Sequence, residues 1–207
     1  MSRYRKSRLL KLDSRILIIC EGQSECQYFI TFKKLLHDKY KLKGLEVEIY
    51  QPKYYSPMGL LKEAKKKIRE AKADKLPYDK VWIVFDKDQH QNIHQVISES
   101  TGHKQKIEVG LSIISFEIWI LLHFEKTKKP FHSCEELVRY LETHHIPFYK
   151  KTMSFNTIIS NKINFALENA EWLEQQNSLD INNGVNIADL SIYTNINKII
   201  EHLISLK

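Results

Sequence analysis

The run Val81-Trp82-Ile83-Val84-Phe85 constrains this chain most, because it passes directly into Asp86-Lys87-Asp88 and then Gln89-His90. Consecutive β-branched and aromatic residues leave no polar face for solvent. The run therefore predicts a strand covered on both sides, as in the parallel sheet of an α/β domain. An apolar core does not hold unpaired carboxylates, so Asp86 and Asp88 are expected where the strand emerges. In open α/β sheets the ligand crevice lies there, at the carboxyl ends of the strands. Acids two positions apart can turn toward one hard divalent cation, Mg²⁺ or Mn²⁺. Acidic turns after strands are also common without any ligand, so Asp-x-Asp alone decides nothing.

A second run, Arg15-Ile16-Leu17-Ile18-Ile19-Cys20, repeats the pattern and ends on Glu21-Gly22. Ser24 followed by Gln27 reads as a capping box, opening a helix with Tyr28, Phe29, Phe32, Leu35 and Leu36 at helical spacing. Glu21 then stands at its strand mouth as Asp86 does at its own. Glu25 falls in the first helical turn, where the helix dipole alone would favour it. Gly22 permits a tight turn between them, left-handed if required. Leu45 to Tyr50 alternates, as a strand nearer the sheet edge would.

A helix from about Met58 to Ala73 follows, with a buried stripe of Leu60, Leu61, Ala64, Ile68 and Ala71. Lys62, Lys65, Lys66, Lys67, Arg69 and Lys72 crowd its remaining surface. That surface is either simply solvated or tracks a phosphate backbone. Gln91 to Ser100 reads as a short helix, and Lys106 to Ile114 as the next strand. Strand–helix units in series imply right-handed crossovers and a mostly parallel sheet with helices on both faces.

In Ser115-Phe116-Glu117-Ile118-Trp119-Ile120-Leu121-Leu122-His123-Phe124, apolar residues surround Glu117. A carboxylate there has to be paired or coordinating, so Glu117 is a further candidate ligand, with helix capping as the plain alternative. His123 is expected as a hydrogen-bonded core histidine. Beyond Glu125 the pattern becomes all helical. Ser133-Cys134-Glu135-Glu136 is a capping box for a helix to about His144. Amphipathic stretches follow from about Asn156 to Gln176 and from Ser191 to Leu206, with a loop from Asn177 to Asp189. Lys150-Lys151 reads as a basic connection. The expected organisation is a basic arm (1–14), an α/β core (15–125) and a helical C-terminal extension packed on it (126–207).

Across 207 residues, 32 Lys and Arg against 25 Asp and Glu give a net charge of +7, which favours a polyanionic partner,. The candidate nucleic-acid contacts are Arg3 and Arg5 in the arm and Lys62, Lys65, Lys66 and Arg69 on the lysine-rich helix. The three cysteines lack paired zinc spacing and are expected to be reduced,. The basic start has no apolar signal-peptide core and no apolar run reaches membrane-spanning length. A cytoplasmic protein without membrane contact is expected; its oligomeric state is open.

The order strand–Glu-Gly, then strand–Asp-x-Asp, on such a scaffold resembles the TOPRIM fold of topoisomerases, primases and OLD-family nucleases. Cys20-Glu21-Gly22-Gln23-Ser24-Glu25 with Tyr28-Phe29 is similar to the first motif of the RloB family. The same holds for Val81 to Asp88, for Ser115 to Phe124, and for the closing Tyr193-Thr194-Asn195-Ile196. The resemblance runs from about Arg15 onward. One departure is that Ile113-Ile114 stand where the family usually carries Asn-Pro.

The resemblance implies a TOPRIM-fold, metal-dependent, nuclease-like effector of prokaryotic antiviral defence. Such proteins are linked to restriction loci and often sit beside an ABC-type ATPase. TOPRIM effectors paired in this way include ribonucleases that attack tRNA. Carried over, Glu21 would be the main acid/base or metal-binding glutamate. Asp86 and Asp88 would hold Mg²⁺ or Mn²⁺, with Glu25 in support. Lys87 or His90 could stabilise the transition state or protonate the leaving oxygen. The expected enzyme is thus a phosphodiesterase acting on RNA such as tRNA, or on DNA. The alternative is a non-catalytic nucleic-acid or partner-binding module working with the ATPase. Primase-type nucleotidyl transfer is a third class, but no Gly-rich phosphate loop supports it.

Overall fold

The computed structural model describes residues 14–40, 44–53, 56–87, 90, 92–104 and 106–206. Four strands form its parallel part: β1 (Ser14–Cys20), β2 (Leu45–Tyr50), β3 (Lys80–Asp86) and β4 (Ile107–Ile113). Between them run α1 (Gln23–Tyr40), α2 (Pro57–Ala73) and α3 (Ile93–Thr101). With a short fifth strand, β5 (Tyr193–Thr194), the strand order is β2-β1-β3-β4-β5, which puts the alternating Leu45–Tyr50 strand at an edge. The fold class expected from the sequence is therefore met: α/β, mostly parallel, helices on both faces and helices after the core.

Strand alternation divides the core in two. Ile16, Ile18, Cys20, Trp82 and Val84 face α1 and the later helices. Leu17, Ile19, Val81, Ile83 and Phe85 face α2 and α3. Both sets are almost fully buried, as continuous apolar strands require,. Parallel pairing aligns Cys20 with Val84 and Asp86 with Ser112. The carboxyl ends of β1, β3 and β4 thus open at one rim.

After β4 come α4 (Glu117–Leu121), α5 (Cys134–His144), α6 (Asn156–Asn182), a 3₁₀ turn (Ile187–Asp189), β5 (Tyr193–Thr194) and α7 (Ile196–Ser205). The Ser133 hydroxyl caps α5 by accepting from the Glu136 N–H at 3.2 Å, as the capping box foretells,. Two features depart from the pattern expected of this segment, a loop from Asn177 to Asp189 and a helical stretch from Ser191. First, α6 continues through Asn177 to Asn182, ending near Gly184, whose φ of +89° suits glycine,. Its polar run remains helical because Asn177 turns inward and donates to the Ile192 carbonyl at 2.9 Å. Second, Tyr193–Thr194 pairs antiparallel with β4 instead of beginning a helix. Asn195 extends that pairing with its side chain, accepting from the Leu111 N–H at 2.7 Å and donating to the Val109 carbonyl at 2.9 Å. A short polar segment can occupy an exposed sheet edge this way without an apolar pattern that would reveal it.

Among the described residues no helix is long and apolar enough to cross a membrane. The last helix seats on β4 at Gly110, where an added Cβ would lie 2.9 Å from Ile199 Cδ1 and 3.2 Å from Ile196 Cδ1. Gly110→Val should therefore overpack the sheet and destabilise the protein by about 1–3 kcal/mol in urea unfolding. Adding Ile199→Ala should recover part of that loss through shared space. An unshifted urea midpoint in Gly110→Val would show that α7 does not bear on the sheet there.

Candidate functional site

The first carboxylate at the rim is fixed by the sheet itself. The Glu21 N–H donates to the Val84 carbonyl at 2.9 Å, and its own carbonyl accepts from the Gln51 side chain at 3.2 Å. Its carboxylate reaches across to β3, accepting from the Asp86 N–H at 3.3 Å. The other oxygen lies 3.0 Å from His90 Nε2. Residues far apart in sequence are neighbours because β1 and β3 are adjacent parallel strands.

Helix α1 begins at Gln23, two residues earlier than a Ser24 cap would place it. Ser24 is therefore in the first turn, and its hydroxyl is used elsewhere. Glu25 is 3% exposed, and its carboxyl folds back over Gly22. A Cβ on Gly22 would sit 2.5 Å from Glu25 Oε2. Close approach, and not a left-handed turn, explains this glycine: Gly184 is the glycine with positive φ among the described residues. Burial, then Glu117 and Glu21 nearby, push the Glu25 carboxyl up from its ordinary 4.5 to about 7,.

Asp86 ends β3 on the face of Trp82 and Val84. Burial and the neighbouring Glu25 and Glu117 raise its carboxyl well above the usual range, and the Phe116 N–H offsets this only in part. Lys87 points the other way along the strand: its ammonium donates to the Ala188 carbonyl of the 3₁₀ turn. Lys87 also lines the cleft, so this bond ties the C-terminal segment to the rim. His90 stays at the site through Glu21. Asp88 lies outside the described residues, as do Arg3 and Arg5.

Glu117 opens α4 and is 1% exposed. Its carboxylate accepts from the Ser24 hydroxyl at 2.7 Å and the Tyr149 hydroxyl at 2.9 Å, with the Cys134 thiol at 3.8 Å. It is thus paired by neutral donors from α1 and from the chain after α5. The turn that delivers it is strained. Ile114 has a φ of +81°, a conformation costing roughly 1–2 kcal/mol in a residue with a Cβ,, and one a proline could not adopt. Ile114 packs against both halves of the core, which holds it there,. His123 is a core histidine: Nδ1 lies 2.9 Å from the Trp119 carbonyl and Nε2 3.0 Å from the Tyr28 hydroxyl. Burial lowers it to about 4, so it is neutral.

Glu21, Glu25, Asp86 and Glu117 all line one cleft of about 670 Å³. The far wall comes from the C-terminal segment and was not legible as a site: His132, Ser133, Cys134, Glu135 and Lys151. Lys151, read from sequence as a mere connection, is the cation of that wall. Burial lowers its ammonium, but Glu117, Cys134, Asp86 and Glu25 outweigh this and raise it. A basic dipeptide in a loop after Tyr149 was its only sequence signal. The α2 cations do not line this cleft. Lys65 pairs with Glu99 at 3.0 Å and Lys66 with Glu63 at 3.4 Å, while Lys62 and Arg69 are exposed.

Hard oxygen donors with raised proton affinity suit a divalent cation, which would displace those protons. The Ser115 hydroxyl also lines the cleft, is 3% exposed, and is without a hydrogen-bond partner among the described residues. Against this, no three His, Cys, Asp or Glu side chains among the described residues are already arranged around a metal position. The donor set fits Mg²⁺ or Mn²⁺ in chemistry, with Glu21, Glu25 and Asp86 as the side chains that would hold it. Glu117 is a further oxygen donor at the base: its Oε1 accepts from both the Ser24 and Tyr149 hydroxyls, while Oε2 has only the Cys134 thiol at 3.8 Å.

Glu25 holds its proton more tightly folded than unfolded, so its contribution lowers stability as pH rises from about 4.5 through about 7,. Asp86 acts in the same direction. Glu25→Gln should remove Glu25's share of that decline and, near pH 8, exceed the parent in stability by on the order of 2 kcal/mol. Urea titrations of the two proteins across this range provide the check. Parallel pH profiles would contradict the crowding of these carboxylates.

No curated protein and no solved structure matches the chain. The profile described as RloB-like protein matches residues 16–203, which takes in most of β1, every residue lining the cleft and most of α7. The chain belongs to the RloB-like protein family.

Proposed function

We propose that this protein is a divalent-metal-dependent phosphodiesterase acting on nucleic acid, RNA such as tRNA or else DNA, as a TOPRIM-like effector of anti-phage defence. One observation carries the reading: Glu21, Glu25, Asp86 and Glu117 crowd one cleft at adjacent strand ends, and two of them have proton affinity raised by burial and by one another. Such a site is stabilised by a cation, and a basic chain of net charge +7 brings polyanions to it,.

Bound Mg²⁺ or Mn²⁺ would supply charge stabilisation at phosphate oxygens and a lowered water pKa. The chain's own residues do the remainder. Glu21, held by the Asp86 N–H and by His90, is oriented before substrate arrives. His90, bonded through Nε2 to Glu21, is the group able to hold or move a proton beside the leaving oxygen,. Lys151 offers a positive charge on the opposite wall for a non-bridging phosphate oxygen,. Ser24 and Tyr149 hold Glu117 in place at the base.

The absence, among the described residues, of three side chains already poised around one metal position supports a second reading. In it the cleft binds nucleic acid or an ABC-type ATPase partner without catalysis. The two separate in one experiment. On the first reading the purified chain, with its ATPase partner where required, cleaves tRNA or plasmid DNA in Mg²⁺ or Mn²⁺ and stops in EDTA. Glu21→Gln and Asp86→Asn should each slow cleavage by about 100-fold or more. Undiminished cleavage in both variants removes the assignment. Absent cleavage, together with phage protection retained by Asp86→Asn, selects the binding module.

A further inference from the structure

Between α5 and α6 the chain turns at Ile146-Pro147-Phe148-Tyr149, with the Tyr149 N–H donating to the Ile146 carbonyl at 3.1 Å. Pro147 takes the second position and Phe148 the third, with a φ of +61°. This is the pattern of a type II turn, whose third position favours glycine or asparagine. An aromatic residue is costly there, and this one is also 87% exposed, more than the other exposed large hydrophobics among the described residues. The flanking residues point inward: Ile146 is 6% and Tyr149 5% exposed. The turn is therefore pinned at both ends, and the ring is held out between them. A residue retained for packing or for turn geometry would show neither property.

Its position gives the ring a partner. Tyr149, the next residue, bonds Glu117 inside the cleft, and Lys151, three residues on, lines the cleft wall. Lys150 is exposed beside it. A rigid, solvent-facing aromatic followed by two cations is the chemistry that takes an unstacked base on the ring and its phosphates on the ammonium groups. We propose that Phe148 is a stacking platform for an unpaired base of single-stranded nucleic acid, and that Lys150 and Lys151 carry the adjoining phosphates into the cleft. This rests on the reading that nucleic acid visits the cleft, and it selects single strands, loops or frayed ends over intact duplex.

The test is binding of a fluorescein-labelled single-stranded oligonucleotide and of its duplex to the full chain, followed by anisotropy in EDTA so that cleavage plays no part. The wild-type chain should prefer the single strand. Phe148→Ala should weaken single-strand binding by about ten-fold or more while barely altering duplex binding. Phe148→Trp should bind like the parent, with its indole emission quenched by the base, and Phe148→Leu should resemble Phe148→Ala. Phe148→Gly relieves the left-handed strain, so its melting midpoint should rise by roughly 2–4 °C, which separates lost binding from lost folding. Unaltered single-strand affinity in Phe148→Ala, or full affinity in Phe148→Leu, would overturn the proposal. So would failure of the wild-type chain to bind either form. Light scattering that showed a self-association lost only in Phe148→Ala would assign the ring to a protein contact and overturn it too. Phe148-dependent binding without any cleavage in metal would uphold this inference while removing the nuclease reading. Cleavage with Phe148-independent binding would do the reverse.

Discussion

Repulsion among carboxylates that the backbone forces together is the constraint around which the rim of the sheet is arranged. Parallel pairing of β1 and β3 leaves no choice about where Glu21 and Asp86 emerge, and α1 folds Glu25 back over Gly22 into the same volume. Placing such groups half out of water raises the free energy of the folded state unless protons, donors or a cation compensate. The chain supplies donors to Glu117 and a histidine to Glu21, but Glu25 and Asp86 remain under-compensated. Instability left at one spot in an otherwise well-packed core is the usual mark of a functional site.

The C-terminal segment completes what the sheet begins. Asn195 and β5 cover the β4 edge, Gly110 admits α7, and Lys87 ties the 3₁₀ turn to the end of β3. The loop after α5 then contributes Tyr149 and Lys151 to the cleft. Core and helical extension share one apolar cluster, so the cleft wall is as fixed as its floor. Ile114 links the two. Its strained backbone redirects the chain from β4 into α4 and delivers Glu117 beneath the other acids.

What was readable from the sequence was what periodicity and burial dictate. Continuous apolar runs specified β1 and β3, and their terminal acids specified the rim, because a buried strand has only its ends for polar groups. Glu117 stood out since nothing apolar surrounds a carboxylate without consequence. Long-range pairings were not readable. That Ser24 serves Glu117 instead of capping α1, that Lys87 serves Ala188, and that Lys151 faces the acids all depend on tertiary geometry with no local signature. The ion pairs of the lysine-rich α2 are hidden for a related reason. Composition reveals charge but not the acids opposite, and Glu99, Glu63 and Glu48 pair with Lys65, Lys66 and Lys67.

The central claim is that these carboxylates are held together for a divalent cation. Anomalous scattering from a crystal of the full chain soaked in Mn²⁺ addresses it most directly. A single strong peak bounded by Glu21, Glu25 and Asp86 is expected. A saturating soak that leaves this position without a peak, or that places manganese elsewhere on the surface, would contradict it.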